Sequence, residues 1–473
     1  MEKKTTILVV AITIICMAVS PLQAQKTGTK QTISGIVMDS EFGKLLPGTN
    51  VFIKTASYRG TVTDINGKFT ISAAIGEVVV FQMIGMKRYE YTVTGSVSDL
   101  VILLGAFQPA QSIYLTTQQR EKIQANNSLA FQMFRKVSKQ EGDNTFFSPW
   151  SFSMALGMLY NGASGNTRYQ IAETLGIAHF SETEINEYFQ KIAQAFLQID
   201  PSTEITIANS FWYRNDFSVK DRFVEINKKY FEATVQALDL SSTTVSGTIN
   251  NNTISDDMIL FLSNALYFRS KWRGDMAFHA FRTRLDDFTK TNNQKQQVYM
   301  MEQFSWLYHY ADEYMQLVEL VYGNGAFSMV VVLPSEDMDI NQLIDRLDND
   351  KWQYAINGMQ DRWTQLRLPR FKVEGNLLLN QPIKSLGMGN IFSEGFANIS
   401  DDNLWISGIQ QQTFVEVNEA STRVQPLIRI IVGGGWGEPV PFFANRPFLY
   451  VIREKSTGVI LFMGRMDNPN KQH

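Results

Sequence analysis

The sequence lacks most of the side chains that enzymes use for nucleophilic or metal-assisted chemistry. It contains one cysteine and four histidines, and none of the histidines has a partner at the spacing of metal ligands. The histidines are His179, His279, His309 and His473. Neither a GxSxG nor an HExxH run occurs, so the signatures of serine hydrolases and zinc proteases are missing. We therefore expect no catalytic residue, no metal and no cofactor.

The sequence also lacks an excess of charge of one sign. Its 473 residues carry 43 Lys and Arg against 46 Asp and Glu, and neither sign collects into blocks. A nucleic-acid partner is therefore not indicated. The length suits either two unequal domains or one large domain with an extension.

The first 25 residues have the pattern of a secretory signal peptide. Lys3 and Lys4 form a positive start, residues 7–19 are apolar, and Ala24 precedes a polar stretch. A membrane anchor is the alternative, but this apolar run is short for a bilayer, and no later segment approaches spanning length without charge. The pattern predicts a signal peptide over residues 1–24. It also predicts a secreted, periplasmic or cell-envelope protein whose mature chain has no membrane-spanning segment.

The single cysteine, Cys16, lies inside this leader and raises the alternative of a lipid-anchored protein. Ile15, which precedes it, is bulkier than lipid-attachment signals usually permit. The mature chain would contain no cysteine, so its stability outside the cytoplasm must come from packing without disulfides.

Short strand patterns alternate with turn signals over residues 31–104. Asn66-Gly67 is a strong hairpin signal because both residues tolerate the positive φ of a tight turn. The segment predicts a small all-β sandwich. Through ISGIVMD, LPGTNVFIK and GTVTDINGKFTIS it resembles the carboxypeptidase regulatory-like domain of exported Bacteroidetes proteins. That resemblance implies an adhesion or docking module, which here would dock to the cell envelope.

A Gln-rich segment over residues 105–127 is a predicted linker, since apolar periodicity is weak there. Residues 128–469 mix helical and strand patterns without repeating, which predicts an α+β domain. Uninterrupted apolar strands at 258–268, 316–322 and 327–334 are typical of strands buried on both faces.

Four runs in this second domain resemble the serpin family, in the family's order and at nearly its spacing. They are residues 144–176, 261–272, FVEVNEAST at 414–422 and FFANRPFLYVIREKSTGVILFMGRMDNP at 442–469. The resemblance implies the serpin fold, with multiple β-sheets, surrounding helices and an exposed reactive loop. It also implies a monomer that offers this loop as bait to serine or cysteine endopeptidases and traps them when the cut loop inserts into a sheet.

Residues 422–441 match the family's reactive loop. Counting from Thr422 by the family's spacing places the scissile bond near Gly435-Trp436. The residues that match the hinge of the loop are Glu419, Ala420, Ser421, Thr422, Val424 and Pro426.

The hinge departs from the inhibitory pattern, because Val424-Gln425-Pro426-Leu427 replaces a run of small residues. Proline has no backbone N–H and removes a ladder hydrogen bond from a central strand. An alternative function is therefore that of a non-inhibitory serpin, which acts as a protease substrate or as a binding and docking protein.

Ser148, Ser151 and Asn264 match a polar cluster that the family places under its central sheet to control opening, and Gln411 stands where the family usually has a histidine. A simple helix cap is the alternative for the Ser-Pro-x-Ser run. Trp272 matches the position near which the loop begins to insert, with a plain core aromatic as the alternative.

The family usually carries a helix across the face of this sheet, and residues 241–257 are too polar and β-branched to form it. We expect that helix to be missing.

Overall fold

The computed structural model describes residues 30–40, 43–83, 86, 88–105, 110–141, 144–238, 260–273, 276–402, 404–419 and 438–471. The chain divides into two compact units, Met1–Phe107 and Gln108–His473. In the described part of the chain, no helix is both long enough and apolar enough to cross a membrane. The predicted signal peptide and the segment of the expected missing helix lie outside the described residues.

The first unit packs a three-stranded sheet and a four-stranded sheet around one apolar core. The orders are β4-β1-β7 and β3-β2-β5-β6. The strands are β1 Lys30–Asp39, β2 Asn50–Ile53, β3 Ala56–Val62, β4 Lys68–Ala74, β5 Val78–Gln82, β6 Tyr89–Thr92 and β7 Val97–Leu104. Alternation puts Phe69, Ile71 and Ala73 of β4 inside and their neighbours outside. The predicted all-β character of this segment is confirmed.

The Asn66-Gly67 turn does not close a hairpin, in contrast to the expectation from the sequence. Gly67 has a φ of +66°, as such a turn requires. However, β3 and β4 on either side of it belong to different sheets. The Asp64 carboxylate accepts hydrogen bonds from the amides of Asn66 and Lys68, both at 2.8 Å, and holds the turn. The chain therefore crosses from one sheet to the other here.

The second unit combines helices with two larger sheets. The helices are α1 Thr117–Glu141, α2 Pro149–Gly162, α3 Gly165–Thr174, α4 Glu182–Gln198, α5 Asp221–Phe231, α6 Ile340–Arg346, α7 Asn349–Asn357 and α8 Asn380–Ser385. The strands are β8 Thr145–Phe147, β9 Glu204–Arg214, β10 Thr234–Leu238, β11 Leu260–Arg269, β12 Arg284–Thr289, β13 Lys295–Ala311, β14 Met315–Val321, β15 Phe327–Pro334, β16 Gln360–Pro369, β17 Phe371–Leu378, β18 Gly408–Val417, β19 Val440–Phe443, β20 Phe448–Glu454 and β21 Ile460–Met466.

These strands form a five-stranded sheet in the order β10-β9-β11-β18-β17 and a nine-stranded sheet in the order β19-β16-β13-β14-β15-β20-β21-β8, with β12 beside β13. Strands β14 and β15 are almost entirely buried, which confirms the expectation from their apolar runs. The same expectation for residues 258–268 is wrong at the end of β11, where Tyr267 is 37% exposed. Helix α2 is buried along its whole length. A methyl group at Gly157 of α2 would lie 2.6 Å from the Phe189 ring of α4, so glycine permits this close packing. The mixed α+β architecture is confirmed.

The segment predicted as a linker over residues 105–127 differs from that prediction. Residues from Gln108 onward belong to the second unit, and α1 already begins at Thr117. Ile113 and Leu115 are buried against the second core, and the Ile113 amide donates to Ser456 Oγ at 2.9 Å. The second unit therefore begins well before residue 128, because this stretch hides apolar side chains at alternating positions.

Candidate functional site

Two neighbouring strands of the five-stranded sheet, β11 and β18, run parallel but pair over only part of their length. The ladder runs from Phe261 opposite Gly408 to Ala265 opposite Gln412. Among the described residues it goes no further, although β11 continues to Arg269 and β18 to Val417. The facing edges beyond Ala265 and Gln412 therefore offer backbone groups that this ladder does not use.

The direction of β11 and β18 decides which segment could pair with their facing edges. Strand β18 ends at Val417, three residues before the segment 420–437, which lies outside the described residues. A chain that leaves β18 and turns back is antiparallel to β18, and it is antiparallel to β11 as well because the two strands run parallel. A returning segment can thus pair with both edges in the antiparallel pattern, which is slightly more stable per residue than the parallel one.

A polar cluster lies under the paired ends of these strands, where α2 begins. Ser148 is the N-cap of α2, and its Oγ accepts from the Ser151 amide at 3.2 Å and donates to the Leu461 carbonyl at 2.8 Å. The Gln411 side chain of β18 accepts from the Ser148 amide at 2.8 Å and donates to the Ser148 carbonyl at 2.9 Å. Ser148 therefore both caps α2 and joins it to β18.

The cluster also reaches β11 and the next strand. The Ser151 hydroxyl donates to Asn264, and the Asn264 side-chain amide donates to Asn209 of β9. The Asn209 amide in turn donates to the Phe231 carbonyl at 2.7 Å. A cavity of about 10 Å³ lies among Ser151, Asn264 and Gln411, at the lower limit for one water molecule. The network links α2 to three adjacent strands of the sheet.

Trp272 lies just past the end of β11 and is buried. Its ring stacks on Tyr322 with centroids 4.4 Å apart, and its Nε1 donates to the Asn418 carbonyl at 3.2 Å. Asn418 directly follows β18. Trp272 therefore connects the two strands beyond the point where they stop pairing with each other, in addition to its packing in the core.

Glu419 is the last described residue before the undescribed segment, and Arg370 holds it. The Arg370 guanidinium donates two hydrogen bonds to the Glu419 carboxylate, at 2.5 and 2.7 Å, and Thr283 donates a third. Burial raises the pKa of Glu419, but the hydrogen bonds from Arg370 and Thr283 outweigh it and leave the pKa below its ordinary value. The carboxylate is thus charged and fixed at the base of the segment that follows.

The remaining residues of the predicted hinge and scissile bond lie outside the described residues. They are Ala420, Ser421, Thr422, Val424, Pro426, Gly435 and Trp436. The described chain resumes at Glu438 and enters β19, which pairs in parallel with β16 from Val440 opposite Thr364. The ends of the segment are therefore fixed at different sheets, β18 in the five-stranded sheet and β19 in the nine-stranded one.

Sequence reasoning missed Asn209, Thr283 and Arg370. Asn209 could have been found from the sequence, since it is an amide side chain on the face of β9 whose other residues are apolar. Arg370 and Thr283 could not have been found, because they lie 49 and 136 residues from Glu419 in the sequence.

Comparison with known protein families accounts for both units. Residues 124–469 match the model of the family described as serpin (serine protease inhibitor). The chain belongs to the serpin family. Residues 33–108 match the CarboxypepD_reg-like domain, so the serpin unit follows a domain of that type. Both resemblances drawn from the sequence are confirmed.

The similarity covers nearly the full length of other serpins. Human Serpin I2 is 30% identical over 380 residues, which are 74% of this chain and 92% of that protein. Human Neuroserpin is 28% identical over 371 residues, 72% of this chain and 90% of that protein. The native structure of the thermophilic serpin Tengpin superposes with a TM-score of 0.68 at 25% identity, covering 76% of this chain and 97% of Tengpin. The serpin fold of the second unit is confirmed.

Proposed function

We propose that this serpin presents the segment between Thr422 and the start of β19 at Val440 as bait to a serine or cysteine endopeptidase. It traps the enzyme when the cut loop inserts between β11 and β18. The observation that carries the proposal is the ladder that stops at Ala265 and Gln412. Beyond that pair, the facing edges of β11 and β18 do not pair with each other, and β18 leads directly into the proposed loop. The chain's own role is mechanical and non-catalytic, because the chemistry of acylation belongs to the attacking protease.

Insertion of the loop would be favoured by backbone pairing and by apolar burial. If Thr422 faces inward, as in the family, then Val424, Ile428 and Ile430 share its face. Each would leave water on insertion. Fully burying a side chain of this size stabilises by roughly 1.5 to 3 kcal/mol. The cut loop therefore has a driving force for insertion.

The polar cluster would set how readily the sheet opens. Separating β11 from β18 disturbs the bonds that Asn264 and Gln411 make with Ser151 and Ser148. A hydrogen bond of this kind contributes about 1 kcal/mol net, so the cluster opposes opening without preventing it. Trp272, bonded to the Asn418 carbonyl, and the Glu419–Arg370 ion pair would hold the entrance of the gap.

The decisive experiment incubates the purified protein with trypsin-like, elastase-like, subtilisin-like and papain-like proteases. We expect an adduct that survives SDS with at least one of them. Mass spectrometry of the small carboxyl-terminal fragment released on cleavage would identify the scissile bond, which we expect near Gly435-Trp436. Cleavage within the loop by every protease, with no adduct from any, would contradict suicide inhibition.

The hinge sequence favours a second candidate, a non-inhibitory serpin that is cut as a substrate or acts as a binding protein. The Pro426 ring removes one amide from the inserted strand, and a buried carbonyl left without its donor costs roughly 1 to 3 kcal/mol. Slow insertion lets the protease hydrolyse the acyl-enzyme and leave. A higher melting temperature after loop cleavage without adduct would identify this case, because insertion would then occur too late.

We also propose that the protein is exported and docks to the cell envelope. The leader over residues 1–24 supports cleavage and release from the cytoplasm. The CarboxypepD_reg-like domain then offers a docking module. Amino-terminal sequencing of the protein recovered from the native host should begin at Gln25. An uncleaved amino terminus in the cytoplasmic fraction would contradict export.

A further inference from the structure

A polar cavity of about 490 Å³ lies in the serpin unit, lined by residues from four separate parts of the chain. The carboxyl end of α1, the start of α6, the turn between β12 and β13, and the end of β21 all contribute to its wall. The lining residues are Ser138, Lys139, Lys290, Thr291, Asn292, Asn341, Arg465 and Asp467. None of these belongs to the strand pair or to the loop, so neither explains the cavity.

Arg465 carries a buried positive charge at this cavity. Its side chain is 7% exposed, and its two terminal nitrogens donate to Asn341 at 2.8 Å and to Asp467 at 3.2 Å. The third nitrogen, Nε, has no hydrogen-bond acceptor among the residues that the structure describes. Because Nε is itself buried, an occupant of the cavity would meet Arg465 mainly as a positive charge in the wall.

The lining of the cavity contains more basic side chains than acidic ones: Lys139, Lys290 and Arg465 against Asp467. Lys139 pairs with Asp345 at 2.8 Å, and both are more than half exposed, so this pair contributes little. Within the described chain, no side-chain partner is found for Lys290. The Lys290 ammonium is therefore left for an anion, beside the buried positive charge of Arg465.

Asp467 is the single carboxylate of the lining, and protein donors already occupy it. It accepts from the Thr291 amide at 2.9 Å and the Thr291 hydroxyl at 2.6 Å, in addition to Arg465. These bonds fix the β12–β13 turn, which carries Lys290, against the end of β21. The carboxylate thus positions the two cations.

We propose that this cavity binds a tetrahedral oxyanion, a phosphate or sulfate group, between Lys290 and Arg465. A guanidinium suits such oxygens because its donors lie in one plane, and a lysine adds a mobile point charge. The cavity volume far exceeds the roughly 30 Å³ that one water occupies, so it has room for the organic part of a monoester. The bound group would tie α1, α6, β21 and the β12–β13 turn together.

The test measures binding to the full-length mature protein by calorimetry and by the thermal unfolding midpoint. The probes are sodium phosphate and sodium sulfate, compared with sodium chloride at equal ionic strength. Glucose 6-phosphate and glucose 6-sulfate then test whether an ester is accepted. We expect saturable binding and a higher midpoint with phosphate, sulfate or both. The tighter of the two identifies the group.

Two variants and a control locate the site. Lys290→Ala should weaken binding about threefold, the effect of one partly exposed charge. Arg465→Lys keeps the charge but loses the planar donors and should weaken binding about tenfold. Lys295→Ala removes an exposed lysine from the same turn region, where it pairs with Asp287, and should change nothing. Lys290 is only partly buried, so Lys290→Ala should fold even if Arg465→Lys does not.

Equal midpoints in all three salts, with no heat of binding, would overturn the proposal. Equal losses in Lys290→Ala and Lys295→Ala would also overturn it, because binding would then reflect the general surface charge.

Discussion

Ala265 and Gln412 face each other across β11 and β18 as the last pair of a parallel ladder, and both strands continue beyond them. Open strand edges in a folded protein are a liability, because they template pairing with another chain. Here these edges lie beside the point where the proposed reactive loop begins. The space beyond this pair is where we expect the cut loop to insert.

Thr422→Arg should convert an inhibitor into a substrate. With Thr422 facing inward, the arginine would have to enter the sheet interior early in insertion, and an uncompensated buried charge costs several kcal/mol. Each 1.4 kcal/mol or so added to the barrier slows insertion about tenfold, so a cost of several kcal/mol slows it on the order of a hundredfold or more. Hydrolysis of the acyl-enzyme then becomes the faster step, and the fraction of SDS-resistant adduct should fall at least about tenfold. Densitometry of adduct against cleaved serpin measures it.

Gln425→Arg is the matched control for this variant, since residue 425 would face the opposite side from Thr422 if the cut loop inserted as a strand. It should retain most of the adduct. If both arginines abolished the adduct equally, the assumed facing of Thr422 would be incorrect.

Replacing both Gln425 and Pro426 with Ala should raise the adduct yield. Alanine at position 426 restores the backbone amide and removes a ring that fits poorly in a central strand. The missing hydrogen bond is worth roughly 1 to 3 kcal/mol, which corresponds to about fivefold or more in the rate of insertion. Gln425→Ala alone keeps Pro426 and should change the yield little. An unchanged yield in the double variant would refute the kinetic role of the proline.

Glu419→Gln should loosen the base of the loop by removing the charge that Arg370 binds. Hydrogen bonds to charged groups contribute about 1.5 to 3 kcal/mol, so we expect the unfolding free energy to fall by about 2 kcal/mol at pH 7. Because the pKa of Glu419 is lowered in the folded protein, its stabilisation is present above the ordinary pKa of 4.5 and is lost as pH falls through the folded value. The deficit measured by urea unfolding should therefore shrink below about pH 4.5.

Glu374→Gln is the control for Glu419→Gln. Its pair with Lys372 is exposed on both sides and should be worth less than 1 kcal/mol. Equal deficits in the two variants would show that the position of Glu419 at the base of the loop has no special effect.

Features that depend on local sequence could be predicted, and those that depend on distant contacts could not. The Ser148-Pro149 cap and the apolar strands β14 and β15 follow from neighbouring residues. The early start of α1 was missed because its buried face contains Lys122 and Asn127, which break the apolar periodicity. Tertiary contacts satisfy both: Lys122 lies 3.8 Å from the centre of the Phe180 ring, and Asn127 donates to the Gly458 carbonyl.

Within the candidate site, the polar residues could be placed by resemblance, but the bonds among them could not. Gln411 serves both the amide and the carbonyl of Ser148, which requires a side chain with one donor and one acceptor in a fixed orientation. The end of the β11–β18 ladder had no local signal, since both strands keep their pattern beyond it.

Glu319→Gln should lower the free energy of unfolding and make that free energy less dependent on pH. The buried carboxylate accepts from Arg453 at 2.7 Å, Lys455 at 2.8 Å and Ser328 at 2.8 Å. Burial raises the pKa of Glu319, but Arg453 and Lys455 together lower it to about 2. Removing one partner of a buried ion pair costs about 3 to 5 kcal/mol, so we expect a loss of about 3 kcal/mol at pH 7.

The pH dependence has a definite sign, because the folded pKa of Glu319 lies below the ordinary value of 4.5. Its stabilisation is complete above that value and is lost as pH falls toward 2. Urea unfolding at several values between pH 6 and pH 2.5 should show the variant and the wild type converging as the pH falls. Glu225→Gln, an exposed acid-to-amide change in α5, should follow the wild type throughout. A Glu319→Gln deficit that stays constant down to pH 2.5 would show that it comes from lost packing and not from the charge.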